Sequence, residues 1–351
     1  MIKFKIFALL VALLMLSPMT VYASRPREIQ FDNAVSRASR NAASQLDLES
    51  RQEAAKAREL RAIRANTFDS EEANLLDIQI ITAQTESAWL ARESERVRVV
   101  ANIQLRNYLS SIRASELQIQ LLEQTIELQE QVLEHTELRL QHGMASAVNV
   151  REATHTLDQS RINLETVQLN LQNQRQSVNR LVGQLITANV QIVYDVFDFD
   201  PIPEDAGSER FVNQRVERDP DLIRTRGEVE VRHAAWQNQL DNPEVDNRYM
   251  RVQHQIAGFE RDMAERQAEQ RVRTALLEWE RLHEQYEAIQ ADLAQAQQDY
   301  EAIQRRFEAG FVTQIQVDQA ALAVASQEIA LETHYYAFWI ARLRIDHPYV
   351  R

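Results

Sequence analysis

The sequence runs to 351 residues with 52 acidic and 39 basic side chains, a formal net charge of −13 and no cysteine. Interspersed charge with an acidic balance excludes a basic nucleic-acid interface, and the missing cysteines exclude a disulfide framework, a thiolate metal site and a lipid anchor on an N-terminal Cys. Only 6 Gly and 7 Pro are present, with no proline between Pro26 and Pro201, while helix-forming Gln, Glu, Arg, Ala and Leu abound; both scarce residues weaken or break helices, so the composition predicts long helices held by narrow apolar seams.

In chain order, Lys3 and Lys5 precede an apolar run from Ile6 to Leu16, then Pro18 and the small-residue site Val21-Tyr22-Ala23. This is the pattern of a secretory signal peptide over 1–23, with Ser24 as the mature N-terminus. The run is too short to span a bilayer comfortably. The segment from Glu28 to about Thr67 reads as the first-half counterpart of a helical stretch found later, from Phe211 to Asn238. Next comes a helix expected from about Ser70 to His142, on the order of 100 Å long at 1.5 Å per residue. Ile119, Ile126, Leu133 and Leu140 recur every seven residues along it, and Leu121 and Leu128 form a second row. Two rows on one helix predict neighbours on two sides, as in a ring of helices. A return helix is expected to run to about Leu185.

Between the halves lies the stretch rich in helix breakers. Val190, Ile192, Tyr194 and Val196 alternate as a short strand would, and Pro201, Pro203 and Gly207 follow. Asp219-Pro220-Asp221 interrupts or re-caps the helix of 211–238, and Asp241-Asn242-Pro243 breaks the chain again. The second long helix is expected from about Asn247 to Ala309, roughly 95 Å. Its row of Ala268, Val272, Ala275, Trp279, Leu282, Tyr286, Ile289, Leu293, Ala296, Tyr300, Ile303 and Phe307 alternates steps of four and three. Such a heptad seam predicts left-handed supercoiling against a partner helix. The final helix is expected to run to about Ile345.

Both long helices end alike. Gly143 and Gly310 suit the left-handed position that stops a helix, and Ser146 and Thr313 suit the N-cap of the next. Thr313-Gln314-Ile315-Gln316 has the capping-box form, with Val312 and Val317 placed as a hydrophobic staple. Only Met144-Ala145 and Phe311-Val312 lie between stop and start, so each half is a tight αα-hairpin. The fold expected is all-α: two long antiparallel coiled-coil hairpins as an internal repeat, over 24–186 with its tip at 143–146 and over 211–351 with its tip at 310–313. A linker at 187–210 joins them, holding at most a short strand near 190–196.

The turns Arg-Leu-Gln-His-Gly-Met-Ala-Ser (139–146) and Arg-Phe-Glu-Ala-Gly-Phe-Val-Thr (306–313), with Val317-Asp318-Gln319-Ala320 after the second and Pro203-Glu204 leading to Asp219-Pro220-Asp221-Leu222, resemble the TolC-like outer membrane factor family over nearly the whole mature chain. The resemblance implies an α-barrel protomer, a homotrimer enclosing a periplasmic tunnel, and tips that dock on the periplasmic adaptor protein of an inner-membrane efflux or export pump. By position, Gly143, Met144, Ala145, Ser146, Gly310, Phe311, Val312 and Thr313 would be the docking turns. The family's acidic constriction falls here on Gln316, Asp318 and Gln319, where amides would not supply the field of a carboxylate ring.

The larger departure concerns the membrane. The family inserts two strands before each long helix, and a membrane strand needs about 9–11 residues of alternating apolar character. The corresponding stretches, from Asn66 to Glu72 and from Gln239 to about Arg251, are short and hydrophilic. The reading is a chain without the transmembrane β-barrel, in the periplasm and peripherally associated with the outer membrane, with a separate outer-membrane protein as a further partner. The alternative is a non-conducting structural or regulatory coiled-coil protein. No phosphate loop, His-Glu-x-x-His or nucleophile elbow occurs, so neither an enzyme nor a cofactor is expected. His135 and His142 share a row two turns apart and read as surface residues.

Overall fold

The computed structural model describes residues 27–65, 70–193, 204–240 and 248–350. Residues 1–23, where a signal peptide is expected, Asn66 to Asp69, Tyr194, Val196, Pro201, Pro203 and Asp241-Asn242-Pro243, on which several expectations fall, lie outside the described residues. In order, the elements are β1 (Arg27–Gln30), α1 (Phe31–Gln45), α2 (Leu48–Arg64), α3 (Ser70–Gln141), α4 (Ala147–Leu181), β2 (Val190–Val193), α5 (Glu209–Val216), α6 (Pro220–Leu240), α7 (Arg248–Glu308) and α8 (Gln314–Asp346). The architecture is all-α, as expected: two long antiparallel hairpins, α3–α4 and α7–α8, with no β-barrel among the described residues.

The heptad seam on α7 is buried or half-buried at every position from Ala268 to Ile303, and only Phe307, next to the tip, is exposed. That is the burial a two-helix coiled coil produces. Two boundaries differ from expectation. α4 stops at Leu181, short of Leu185, because Gly183 turns left-handed at φ 67°. The Gln184 N–H donates to the Asn179 carbonyl at 2.8 Å and the Gly183 N–H to Arg180 at 3.2 Å, a Schellman stop. The helix expected over 211–238 is two helices, α5 and α6. Fully buried Asp219 caps α6: its Oδ1 accepts from the Asp221 and Leu222 N–H groups at 2.9 and 3.3 Å, with Pro220 as first helical residue. Asp219 Oδ2 accepts from Arg271 Nη2 of α7 at 2.5 Å.

The short strand at 190–193 has a partner that the sequence does not signal. β1 pairs with β2 in parallel, Arg27 opposite Val190 and Ile29 opposite Ile192. This two-stranded sheet closes the core of the first half, where Phe31, Ala34 and Val35 of α1 meet Leu105 and Leu109 of α3 and Val178 of α4. The second half repeats the plan. Phe211, Val212 and Val216 of α5 pack with Leu222, with Ala268 and Val272 of α7 and with Ile345 of α8. Both cores lie at one level of the rods, a waist far from the tips.

The halves join along α3. Arg113 Nε donates to Glu332 Oε1 of α8 at 2.6 Å, and Val99 and Ile103 pack with Ile340, Tyr349 and Val350. Arg106 of α3 lies between two rings, 4.4 Å from the Phe31 centroid and 2.7 Å from that of Trp339, while its Nε donates to Asn102 Oδ1 at 2.9 Å. Burial pushes its guanidinium down to about 9, against the pull of Asp32. In the half near the tips, α3 packs on α4 and α8, and α8 packs on α7. In the opposite, blunt half, α3 packs on α2 and α6, and α6 on α7. The chain is therefore a layer, four helices wide in each half, with an open edge on either side.

Candidate functional site

The two tips are built by the same local chemistry. At the end of α3, Gly143 takes φ 70°, its N–H donates to the Leu140 carbonyl at 2.9 Å, and the Met144 N–H donates to Arg139 at 2.7 Å. At the end of α7, Gly310 takes φ 77°, its N–H donates to Phe307 at 2.8 Å, and the Phe311 N–H donates to Arg306 at 2.8 Å. Both pairs are Schellman motifs, which satisfy the last carbonyls of a helix through a left-handed residue. A Cβ on either glycine would meet nothing within 4 Å. Glycine is therefore required there by backbone sign and not by space.

The following helices start on side-chain caps. The Asn149 N–H donates to Ser146 Oγ at 3.3 Å and the Ser146 N–H donates to Asn149 Oδ1 at 2.9 Å, a reciprocal capping box. Asn149 gives no capping-box signal in the sequence, because the usual partner at that position is Glu or Gln. At the second tip the expected box forms on the Gln316 side: the Thr313 N–H donates to Gln316 Oε1 at 3.0 Å. Between stop and cap, Met144 is 61% and Phe311 78% exposed, while Ala145 and Val312 are half-buried. Two large apolar side chains thus stand in water at corresponding places on turns held rigid from both sides. Leu138, Leu140, Val148 and Phe307 add exposed apolar surface within a turn or two of them.

The expected constriction residues fall on the first turns of α8. Gln316 and Gln319 are exposed, and Asp318 is half-buried with its Oδ1 accepting from Gln314 Nε2 at 2.8 Å. Gln316 is committed to the Thr313 cap. One tip position therefore offers an amide already in use and another a carboxylate already paired. His135 and His142 are both exposed, and the described residues contain no group of three or more His, Cys, Asp or Glu able to hold a metal ion. No helix among the described residues is long and apolar enough to cross a membrane.

The overall arrangement of this chain recurs in solved structures. The outer membrane protein VceC of Vibrio cholerae superposes with a TM-score of 0.68 over 91% of this chain and 95% of its own, at 13% identity. The fold is that of the TolC-like outer membrane channels. A membrane protein of Pseudomonas aeruginosa matches at TM-score 0.66 and 15% identity, covering 91% of this chain and 90% of its own. The Campylobacter jejuni CmeC outer membrane channel matches at 0.65 and 12%, covering 91% and 85%. No family model and no curated protein matches the sequence. At these identities the TolC-like likeness speaks for the fold. Residues 65–69 separate α2 from α3 and residues 241–247 separate α6 from α7, intervals shorter than the about 9–11 residues a single membrane strand takes.

Proposed function

We propose that this chain is a TolC-like component of a tripartite efflux or export assembly, forming a periplasmic helical duct and docking through its tips on a periplasmic adaptor protein. The observation that carries the reading is the pair of tips: Met144 and Phe311 exposed on turns whose backbone is fully capped, on a fold shared with outer membrane channels. Rigid presentation lowers the ordering cost of binding, and large apolar groups with no local core are what a partner surface buries. Copies of the chain assemble into the duct, since a layer with two open edges encloses no bore alone. The duct stands in the periplasm against the outer membrane and meets a separate outer-membrane protein there.

Photo-crosslinking from Met144 and Phe311 in cells, with the trapped chain identified by mass spectrometry, tests the docking role. The expected product is a periplasmic adaptor of an inner-membrane pump, lost when Gly310 or Phe311 is changed to a bulky charged residue. Unchanged adaptor capture by those tip variants would refute it. A non-conducting regulatory role for the same fold is separated by the bore: a closed, water-filled ring excludes it.

A further inference from the structure

At the blunt half of the molecule, α7 carries a stripe of Tyr249, Val252, Ile256, Phe259 and Met263, at steps of three and four, all exposed. Tyr249 and Phe259 are 66% and 68% exposed. Five large apolar groups in one heptad row are a coiled-coil seam lacking its partner, not scattered surface residues. The stripe ends by itself: the next positions of the same row are Arg266, Gln270 and Arg273. The faces of α7 turned to its own chain are taken by α6 and α8. On the other open edge of the layer, α2 exposes Leu60 and Ile63.

The two edges are in register. Gln84 Nε2 donates to Glu59 Oε1 at 3.0 Å and Arg58 pairs with Glu86 at 2.8 Å, which puts Leu60 and Ile63 beside positions 80–84 of α3. A Cβ on Gly227 of α6 would lie 1.8 Å from Thr85 Cγ2, so α6 crosses α3 at that level. Trp236 of α6 stacks on His254 of α7 with ring centroids 5.6 Å apart, and His233 meets the same ring at a tilt, 5.2 Å away. Stepped across these antiparallel pairs, Leu60 and Ile63 stand level with Ile256 and Phe259.

We infer that copies of this chain close head-to-tail into a ring through an apolar collar at the blunt end, the α7 stripe of one copy packing on Leu60 and Ile63 of the next. The inference rests on the duct reading and adds its means of assembly. Because both edge patches lie at one height, rotation alone brings them together, which gives a closed ring; a translation along the rods would break the match and give a filament. The intervals before α3 and α7 are shorter than a single membrane strand takes, and the collar takes the place of a barrel in holding copies together. It leaves the tips, at the far end of the rods, free for a partner.

The chain has no cysteine, so Leu60→Cys with Phe259→Cys in the full exported protein is a direct test. Oxidation in detergent-free buffer is expected to link copies into a ladder that stops at one size, the mass of the native assembly by light scattering. Phe259→Glu or Leu60→Glu is expected to drop the mass to a single chain with helix content unchanged, whereas Phe311→Asp keeps it. A wild-type chain that stays single, a cysteine pair that does not link, a ladder without an upper limit, or loss of assembly in Phe311→Asp would each overturn the collar. Adaptor crosslinking from Phe311 is scored separately, so the collar can fail while the docking reading stands.

Discussion

The waist and the tips of the same rods solve opposite problems. At the waist, α3 is buried on several sides by α1, α2, α6 and α8, with Leu90, Leu105 and Leu222 fully enclosed. At the tips no such core forms, and the largest apolar side chains, Met144 and Phe311, stand in water. A folded domain gains most of its stability from buried apolar area, so the waist sets stability while the tips are held only by caps and a thin seam. What the tips expose is therefore surplus to folding and available for contact.

Four substitutions and one titration sharpen that contrast, from the strongest effect to the weakest. Asp219→Ala removes the α6 cap and leaves Arg271 at the waist with only its longer contact to Asp221, at 3.9 Å. It is expected to cost about 3–4 kcal/mol in denaturant unfolding, as for a broken buried pair. Gly227→Ala sets a Cβ 1.8 Å from Thr85 Cγ2 across the α3–α6 contact. An overpacked crossing of that kind costs about 2 kcal/mol or more, read as a lowered melting temperature. Gly310→Ala must hold φ 77° with a side chain and is expected to cost about 1 kcal/mol, confined to fraying of the second tip in amide hydrogen exchange.

The titration concerns His347, whose Nδ1 lies 2.8 Å from the Tyr349 hydroxyl at the end of α8. Burial lowers the His347 pKa, against the opposing pull of Glu95 and Asp346. A lowered value means the folded state favours the neutral ring. Its contribution is present above the ordinary histidine value of about 6.5 and is lost as pH falls through the folded value. Thermal unfolding should thus lose stability on going from neutral to mildly acidic pH, with a shallower loss in His347→Asn. Weakest is Phe311→Asp, expected to move stability by less than about 0.5 kcal/mol because the side chain is already in water. A larger loss would show that the tip contributes to folding after all, and the contrast would fail.

The same contrast explains what the sequence disclosed. Periodicity exposed the rods and glycine position exposed the tips, because seams and caps are local codes. The waist is built from long-range contacts and was mostly hidden. Nothing near Arg27 announces that it pairs with Val190, and Gly227 reads as an ordinary weak helix residue until Thr85 is seen against it. The break between α1 and α2 was equally silent: Asp47 takes a left-handed φ of 51° without glycine, its Oδ1 accepting from the Ser50 hydroxyl at 2.5 Å. The turns expected at 143–146 and 310–313 form at those positions. The expected constriction reads differently once Gln316 and Asp318 are seen bonded to Thr313 and Gln314.

Electron cryo-microscopy of the purified protein in buffer free of detergent tests the duct most directly. The predicted particle is a closed ring of helical rods around a water-filled bore, with tips at one end and no lipid-embedded section at the other. Solid bundles, isolated hairpin pairs, or particles that form only inside a detergent belt would contradict it.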